Sequence, residues 1–304
     1  MMCTALKYKQ TMGRNFDYEV SYGEEIVQIP RNKYDNIYSI IGICTMYTDA
    51  NGVYPLLYDG MNEYGLCMAG LAFVGNAYYI EADELTDWEV GWKKKRGIKA
   101  YNIIMDILGQ CKSVEEVKLL IAGSVVVDKQ IAPNMPNSDL HWLVCDKENC
   151  IVVEQTKDGL NWYDAETEVL TNNPIYPKQI ATYTANKGLI GKFKASSDTR
   201  GNETDGLSGS YTSSGRFQRV SYLKEKLESS NNDFNDVSQA FHLLSSVEQV
   251  YGATPVNNKF EYTIYSIVYD MERLCVYIKT YDNLNIQKEY LHLNDFDELL
   301  RWRI

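Results

Sequence analysis

Met1-Met2-Cys3-Thr4-Ala5-Leu6-Lys7-Tyr8-Lys9-Gln10 opens the chain, and Gly13-Arg14-Asn15-Phe16-Asp17-Tyr18 follows it closely. The opening segment lacks the apolar stretch of a signal peptide. Its reactive side chain is Cys3, and position alone allows two readings of that thiol. In one, Cys3 is a small buried residue of an N-terminal strand. In the other, processing exposes Cys3 as the first residue. Its own α-amine, with an ordinary pKa of about 8, then acts as base for its thiol and no histidine is needed.

Outward from this segment the pattern alternates between strands and helix pairs. An apolar, β-branched run at 38–46 fits a buried strand, and a second strand at 66–73 follows a turn at 59–66. Apolar residues recur at helical spacing over 98–108, and Ser113-Val114-Glu115-Glu116 is a capping box that starts another helix. Strands at 140–145 and 150–155 flank the hairpin turn Asp146-Lys147-Glu148-Asn149, with a third strand at 160–163. The segment 195–215, rich in Ser, Gly, Thr and Asp, reads as a long functional loop. Helices are expected at about 216–228 and 235–248, then strands at 262–269, 274–280 and 286–291. This order is α+β, and helices outside two stacked antiparallel sheets would use it, giving four αββα layers.

Composition excludes several function classes. The 304 residues carry 30 Lys+Arg against 41 Asp+Glu, a net charge of −11 that argues against a nucleic-acid partner. The basic run Lys93-Lys94-Lys95-Arg96 is flanked by Asp87 and Glu89 and reads as a solvated surface. No apolar run is long enough to span a membrane. The seven cysteines are scattered and form no CxxC pair, which suits unpaired thiols in a reduced, cytoplasmic protein. His141, His242 and His292 lie too far apart in sequence for a confident triad and read as structural or surface residues. No HExxH, GxSxG, Walker A or GxGxxG pattern occurs, so neither metal nor nucleotide cofactor is expected.

Taken together with Cys3-Thr4, Gly13 to Tyr18 and Ile29-Pro30-Arg31, several later strings resemble the choloylglycine hydrolase family in order along the chain. These are Asp59-Gly60-Met61-Asn62-Glu63, Ser113-Val114-Glu115-Glu116-Val117, Leu140-His141-Trp142, Val152-Val153-Glu154-Gln155-Thr156, Leu170-Thr171-Asn172-Asn173-Pro174 and Arg216-Phe217-Gln218-Arg219. The family contains conjugated bile-salt hydrolases and penicillin V acylases. The resemblance implies one N-terminal-nucleophile hydrolase domain over residues 1–304, assembled as a homotetramer, that hydrolyses linear amides without metal or cofactor.

Carried over by position, the resemblance makes Cys3 the nucleophile and brings Arg14 and Asp17 near it. It makes Asn172 the oxyanion asparagine and Arg216 the second arginine. A carboxylate such as Asp17 can hold the terminal amine in line with the sulfur. A guanidinium from Arg14 or Arg216 favours a nearby thiolate. The Asn172 amide can donate to the oxyanion, worth roughly 3–4 kcal/mol. Arg14 and Arg216 are also the candidate cations for an anionic substrate. Met12, Phe16, Tyr18 and Phe73 are expected to form an apolar substrate wall.

The sequence departs from the family pattern twice. Met1-Met2 precedes Cys3, where a single Met or a short propeptide is usual, so either translation starts at Met2 or a two-residue propeptide is removed. Ala72 stands where bile-salt hydrolases usually carry asparagine and penicillin V acylases tyrosine. If that position offers its backbone N–H to the oxyanion, alanine preserves catalysis. The expected reaction is hydrolysis of glycine- or taurine-conjugated bile salts through a Cys3 thioester. The alternatives are a penicillin V or other N-acyl amidase, and a non-catalytic binder of amphipathic ligands.

Overall fold

Residues 11–17 are buried without a break, so the strand that carries them must be covered on both faces. In the computed structural model, which describes residues 2–50, 52–81, 89, 90, 93–192, 201–230, 232–293 and 297–304, that is the case. β1 (Met2–Tyr8) and β2 (Thr11–Tyr18) form an antiparallel hairpin in which Cys3 faces Phe16 and Ala5 faces Arg14. β3 (Glu25–Ile29), β4 (Ile40–Asp49), β5 (Gly52–Asn62) and β6 (Cys67–Ala72) continue as an antiparallel meander. Asp59–Asn62 are therefore the end of a strand, and the turn begins only at Glu63.

β7 (Glu89–Val90) and β8 (Lys93–Lys94) pair with each other. Next comes β9 (Arg96–Lys99), then helices α1 (Ile103–Gln110) and α2 (Val114–Ala122), then β10 (Ser124–Val127). The helix expected from 98 starts later because β9 pairs in parallel with β10, which holds Ile98 opposite Val126. α2 starts as its capping box predicts: the Ser113 side chain accepts from Glu116 N.

β11 (Leu140–Cys145), β12 (Cys150–Thr156) and β13 (Gly159–Asp164) form a second meander, followed by the short β14 (Val169–Leu170). α3 (Tyr176–Lys187), α4 (Ser213–Ser229) and α5 (Asp236–Ser245) come next. The chain ends with β15 (Thr254–Val256), β16 (Lys259–Asp270), β17 (Cys275–Thr280), β18 (Gln287–Tyr290) and β19 (Leu300–Arg303). Of the loop expected at 195–215, residues 195–200 lie outside the described residues, and Ser213 onward is already helix.

Two antiparallel sheets result. One runs β14-β1-β2-β16-β17-β18 with β15 on β16, and the other runs β13-β12-β11-β6-β5-β4-β3-β19. They stack with β1 against β6 and β11. α4 and α5 cover the first sheet, and α1 and α2 cover the second, which completes the αββα order. α5 buries Val237, Phe241, Leu243 and Leu244, at roughly 1.5–3 kcal/mol for each large apolar side chain. It packs closely on Gly13, where an added Cβ would stand 3.0 Å from the Leu244 side chain.

The cysteines follow expectation except for one pair. Cys3, Cys44, Cys67, Cys111 and Cys275 are buried free thiols. Cys145 and Cys150 pair sulfur to sulfur because the four-residue turn between β11 and β12 sets them opposite each other. Among the described residues, no helix is long and apolar enough to cross a membrane.

Candidate active site

Strand alternation decides what surrounds Cys3. On β2, Arg14, Phe16 and Tyr18 point between the two sheets, while Gly13, Asn15 and Asp17 point to the helix layer. Cys3, opposite Phe16, shares the inter-sheet side and is fully buried. Arg14 Nη2 lies 3.6 Å from Cys3 Sγ and donates to the Gly70 carbonyl at 2.8 Å. Its Nη1 donates to Asp59 Oδ2 and lies 3.0 Å from the Tyr265 hydroxyl. Asp59 also accepts from the hydroxyls of Tyr265, at 2.6 Å, and Tyr269. Burial alone would lower the Arg14 pKa, but Tyr265 and Asp59 outweigh it and hold the guanidinium well above its ordinary value.

Arg216, from the first turn of α4, approaches Cys3 from the other side. It donates to the Cys3 carbonyl, to Thr4 Oγ1 at 2.7 Å, to Asn172 Oδ1 at 2.8 Å and to the Tyr211 carbonyl at 2.9 Å. Its burial pulls its pKa down, against the opposing pull of Asp17. Both arginines are thus committed to groups within the protein. Arg216 bonds through all three of its nitrogens and is not a cation open to a substrate, whereas Arg14 keeps an Nε without a hydrogen-bond partner.

Asn172 completes the ring. Its Oδ1 accepts from Cys3 N at 2.8 Å, and its Nδ2 donates to the Ala72 carbonyl at 2.9 Å. In this chain Cys3 N is a peptide amide, occupying the place of the amine that removal of Met2 would create. Asp17 lies opposite Met2 on β2 and accepts from Thr263 Oγ1 at 2.6 Å and Gln249 Nε2 at 2.8 Å. Loss of hydration raises its pKa from 3.8 to about 6, with Arg216 and these two donors holding it down.

The edge of β6 supplies a further donor. Phe73 N–H bonds the Asp139 carbonyl at 2.8 Å, on the β11 side. By alternation, the N–H and C=O of Ala72 both leave on the opposite edge. There β5 pairing has ended at Asp59 and Ala69, so the Ala72 N–H points past the end of the ladder, beside the carbonyl that Asn172 holds.

A cavity of about 710 Å³ opens beside this cluster, lined by Arg14, Phe16, Tyr18, Gly70 and Ala72 together with aliphatic and aromatic residues such as Leu57, Tyr58, Ile104 and Trp142. Phe16 stacks on Tyr58 with ring centres 5.1 Å apart. Cys3 does not line the cavity itself, whereas Arg14, 3.6 Å from its sulfur, does. Met12 and Phe73 are also outside it. Met12 shares the face of Arg14 but sits at the far end of β2 in the core, and Phe73 stacks on His141 at 4.2 Å.

The residues that hold these groups in place carry little signal in the sequence. Asp59 lies in a stretch whose sequence reads as a turn, whereas the fold makes it part of β5. Tyr265, Tyr269, Thr263 and Gln249 carry no motif; only the pairing of β16 with β2 brings the β16 residues to the site. Among the described residues, no group of His, Cys, Asp or Glu is placed to hold a metal ion.

Comparison with known proteins agrees with this geometry. The family model of linear amide C–N hydrolases, choloylglycine hydrolase family, matches residues 1–299. A bile salt hydrolase/transferase from Lactiplantibacillus plantarum is 39% identical over 97% of this chain and 94% of its own. One from Clostridium perfringens is 33% identical over 97% and 95%. The crystal structure of a conjugated bile acid hydrolase mutant from Clostridium perfringens superposes with a TM-score of 0.88 at 32% identity, covering 100% of this chain and 97% of that one. Penicillin V acylase from Agrobacterium tumefaciens shares the fold, with a TM-score of 0.71 at 18% identity over 95% and 85%.

Proposed function

The chain belongs to the choloylglycine hydrolase family of linear amide C–N hydrolases, and from that premise we propose that it hydrolyses the amide bond of glycine- or taurine-conjugated bile salts with Cys3 as nucleophile. The observation that carries the reading is the enclosure of Cys3. Its sulfur lies 3.6 Å from Arg14 Nη2 and its nitrogen 2.8 Å from Asn172 Oδ1, beside a largely apolar cavity of about 710 Å³. A rigid, amphipathic acyl group suits such a cavity.

Removal of Met1 and Met2 converts Cys3 N into an amine, which takes the thiol proton. The thiolate attacks the amide carbon, and negative charge develops on the carbonyl oxygen. Two donors serve that oxygen: the second N–H of Asn172 Nδ2 and the backbone N–H of Ala72. The C–N bond breaks as the α-ammonium protonates the leaving amine, leaving a thioester. Water then attacks the thioester and gives its proton to the same amine. The C–S bond breaks, the bile acid leaves and the thiol is restored. Asp17, opposite the position of Met2, orients the new terminus. Arg14, fixed by Asp59, stabilises the thiolate.

On the same basis we read residues 1–304 as one domain, supported by a core cluster that draws on both sheets. We propose a homotetramer in the cytoplasm, where a thiol nucleophile stays reduced. The test is a parallel assay on glycocholate, taurocholate and penicillin V, using protein whose N-terminus has been verified. Higher efficiency on the bile salts supports the reading, and equal or higher efficiency on penicillin V replaces it with the acylase. Absence of turnover on every acyl amide leaves a binding protein.

A further inference from the structure

His141 and Glu154 are both fully buried, and neither takes part in the chemistry above. The pair sits on the inter-sheet faces of β11 and β12. His141 Nδ1 lies 3.0 Å from Glu154 Oε1, and Nε2 lies 2.7 Å from the Thr171 carbonyl. Both ring nitrogens therefore face oxygens. Glu154 Oε1 also accepts from Tyr176 N at 2.9 Å.

These contacts bracket one short segment. Thr171 immediately precedes Asn172, and Tyr176 begins α3 after the Asn173–Pro174 turn. Gln179 closes the segment from within α3, donating to the carbonyls of Asn172 at 2.6 Å and Pro174 at 2.8 Å. Phe73 stacks on the imidazole with ring planes 11° apart, which ties the pair to the end of β6. Ala72, next to Phe73, and Asn172, next to Thr171, are the two proposed oxyanion donors.

We propose that His141 and Glu154 are positioning residues for the oxyanion site: a buried clamp that fixes the 171–176 segment, and with it the Asn172 side chain, relative to Ala72. The proposal rests on the role of Asn172 given above. Its chemistry explains why histidine suits the position. A hydrophobic residue of similar size fills the space but leaves the Thr171 carbonyl without its His141 partner and Glu154 with Tyr176 N alone.

The test compares His141→Leu, His141→Gln and Glu154→Gln with the full-length enzyme. Leucine removes both hydrogen bonds, and kcat is expected to fall roughly 10²-fold while KM stays within about twofold, as for a displaced transition-state donor. Glutamine at 141 keeps a donor toward Thr171 and restores most of kcat. Glu154→Gln replaces the carboxyl group that His141 Nδ1 and Tyr176 N both contact, and lowers kcat without a comparable change in KM. Hydrogen–deuterium exchange over residues 171–176 should quicken in His141→Leu and not in His141→Gln. An unchanged kcat, or unchanged exchange, in folded His141→Leu overturns the clamp. Should that variant not fold, an unchanged kcat in the near-isosteric Glu154→Gln does the same. Retained turnover in Cys3→Ala would instead overturn the proposed mechanism, and the exchange measurement then judges the clamp by itself.

Discussion

Asn172 holds Cys3 N on its side-chain oxygen at 2.8 Å and the Ala72 carbonyl on its side-chain nitrogen at 2.9 Å. One amide thus links the nucleophile's strand in the first sheet to the end of β6 in the second. It also fixes which atoms face the substrate: with Oδ1 already occupied by Cys3 N and Arg216, only an N–H remains to be offered.

Asn172→Ala removes that donor and also leaves Cys3 N, Arg216 Nη2 and the Ala72 carbonyl without their shared partner. Steady-state kinetics on glycocholate should show kcat reduced by about 10²–10³-fold, the usual cost of one oxyanion donor. Asn172→Asp keeps the acceptor and loses the donor, so it should fall as far in kcat while Cys3 N stays anchored. Near-normal kcat in either variant would remove Asn172 from the mechanism.

Asp59 and Arg14 form an ion pair with side chains 0% and 1% exposed. Breaking such a pair strands a charge in the interior, so Asp59→Asn should lower stability by about 3 kcal/mol in urea unfolding. Glu298→Gln, which removes the partner of Lys33 on the surface, should change it by no more than about 0.5 kcal/mol. Equal losses in the two variants would contradict the placement of Arg14.

Asp17 gives a pH signature. Its carboxyl is pushed from 3.8 to about 6 by burial, so the folded chain holds a proton that the unfolded chain has released between those values. The resulting stabilisation is fully present below the lower value and is lost as pH rises through the upper one. Asp17→Asn removes this dependence. In thermal unfolding of the uncleaved chain, the stability difference should shift in favour of the variant by up to about 3 kcal/mol between pH 4 and pH 7. A difference constant across that range would contradict the burial of an ionisable Asp17.

Much of the frame was legible because burial and period agree. The apolar run at 38–46 is β4 in large part, the 140–155 hairpin falls where its turn residues place it, and the Ser113 capping box starts α2. α3 was not marked because it lacks an apolar stripe; Tyr176, Gln179 and Tyr183 are its buried residues. The residues that hold the site are harder to read for a different reason. Asp59 finds Arg14 across 45 positions, and Thr263 finds Asp17 across 246, contacts that no local pattern encodes. Met12 is expected in the substrate wall as an apolar residue near Cys3, and in the structure it does share a strand face with Arg14. Face alone does not say how far along the strand the cavity reaches, and the cavity stops short of Met12.

The central claim is that Cys3 works as an N-terminal residue, with its own amine as base. Intact mass and N-terminal sequencing of purified protein that turns over glycocholate test it most directly, alongside Cys3→Ala. Active protein is expected to begin at Cys3, and a Cys3→Ala variant that keeps the wild-type unfolding transition is expected to show no turnover. Full activity from protein that still carries Met1 and Met2 would contradict it.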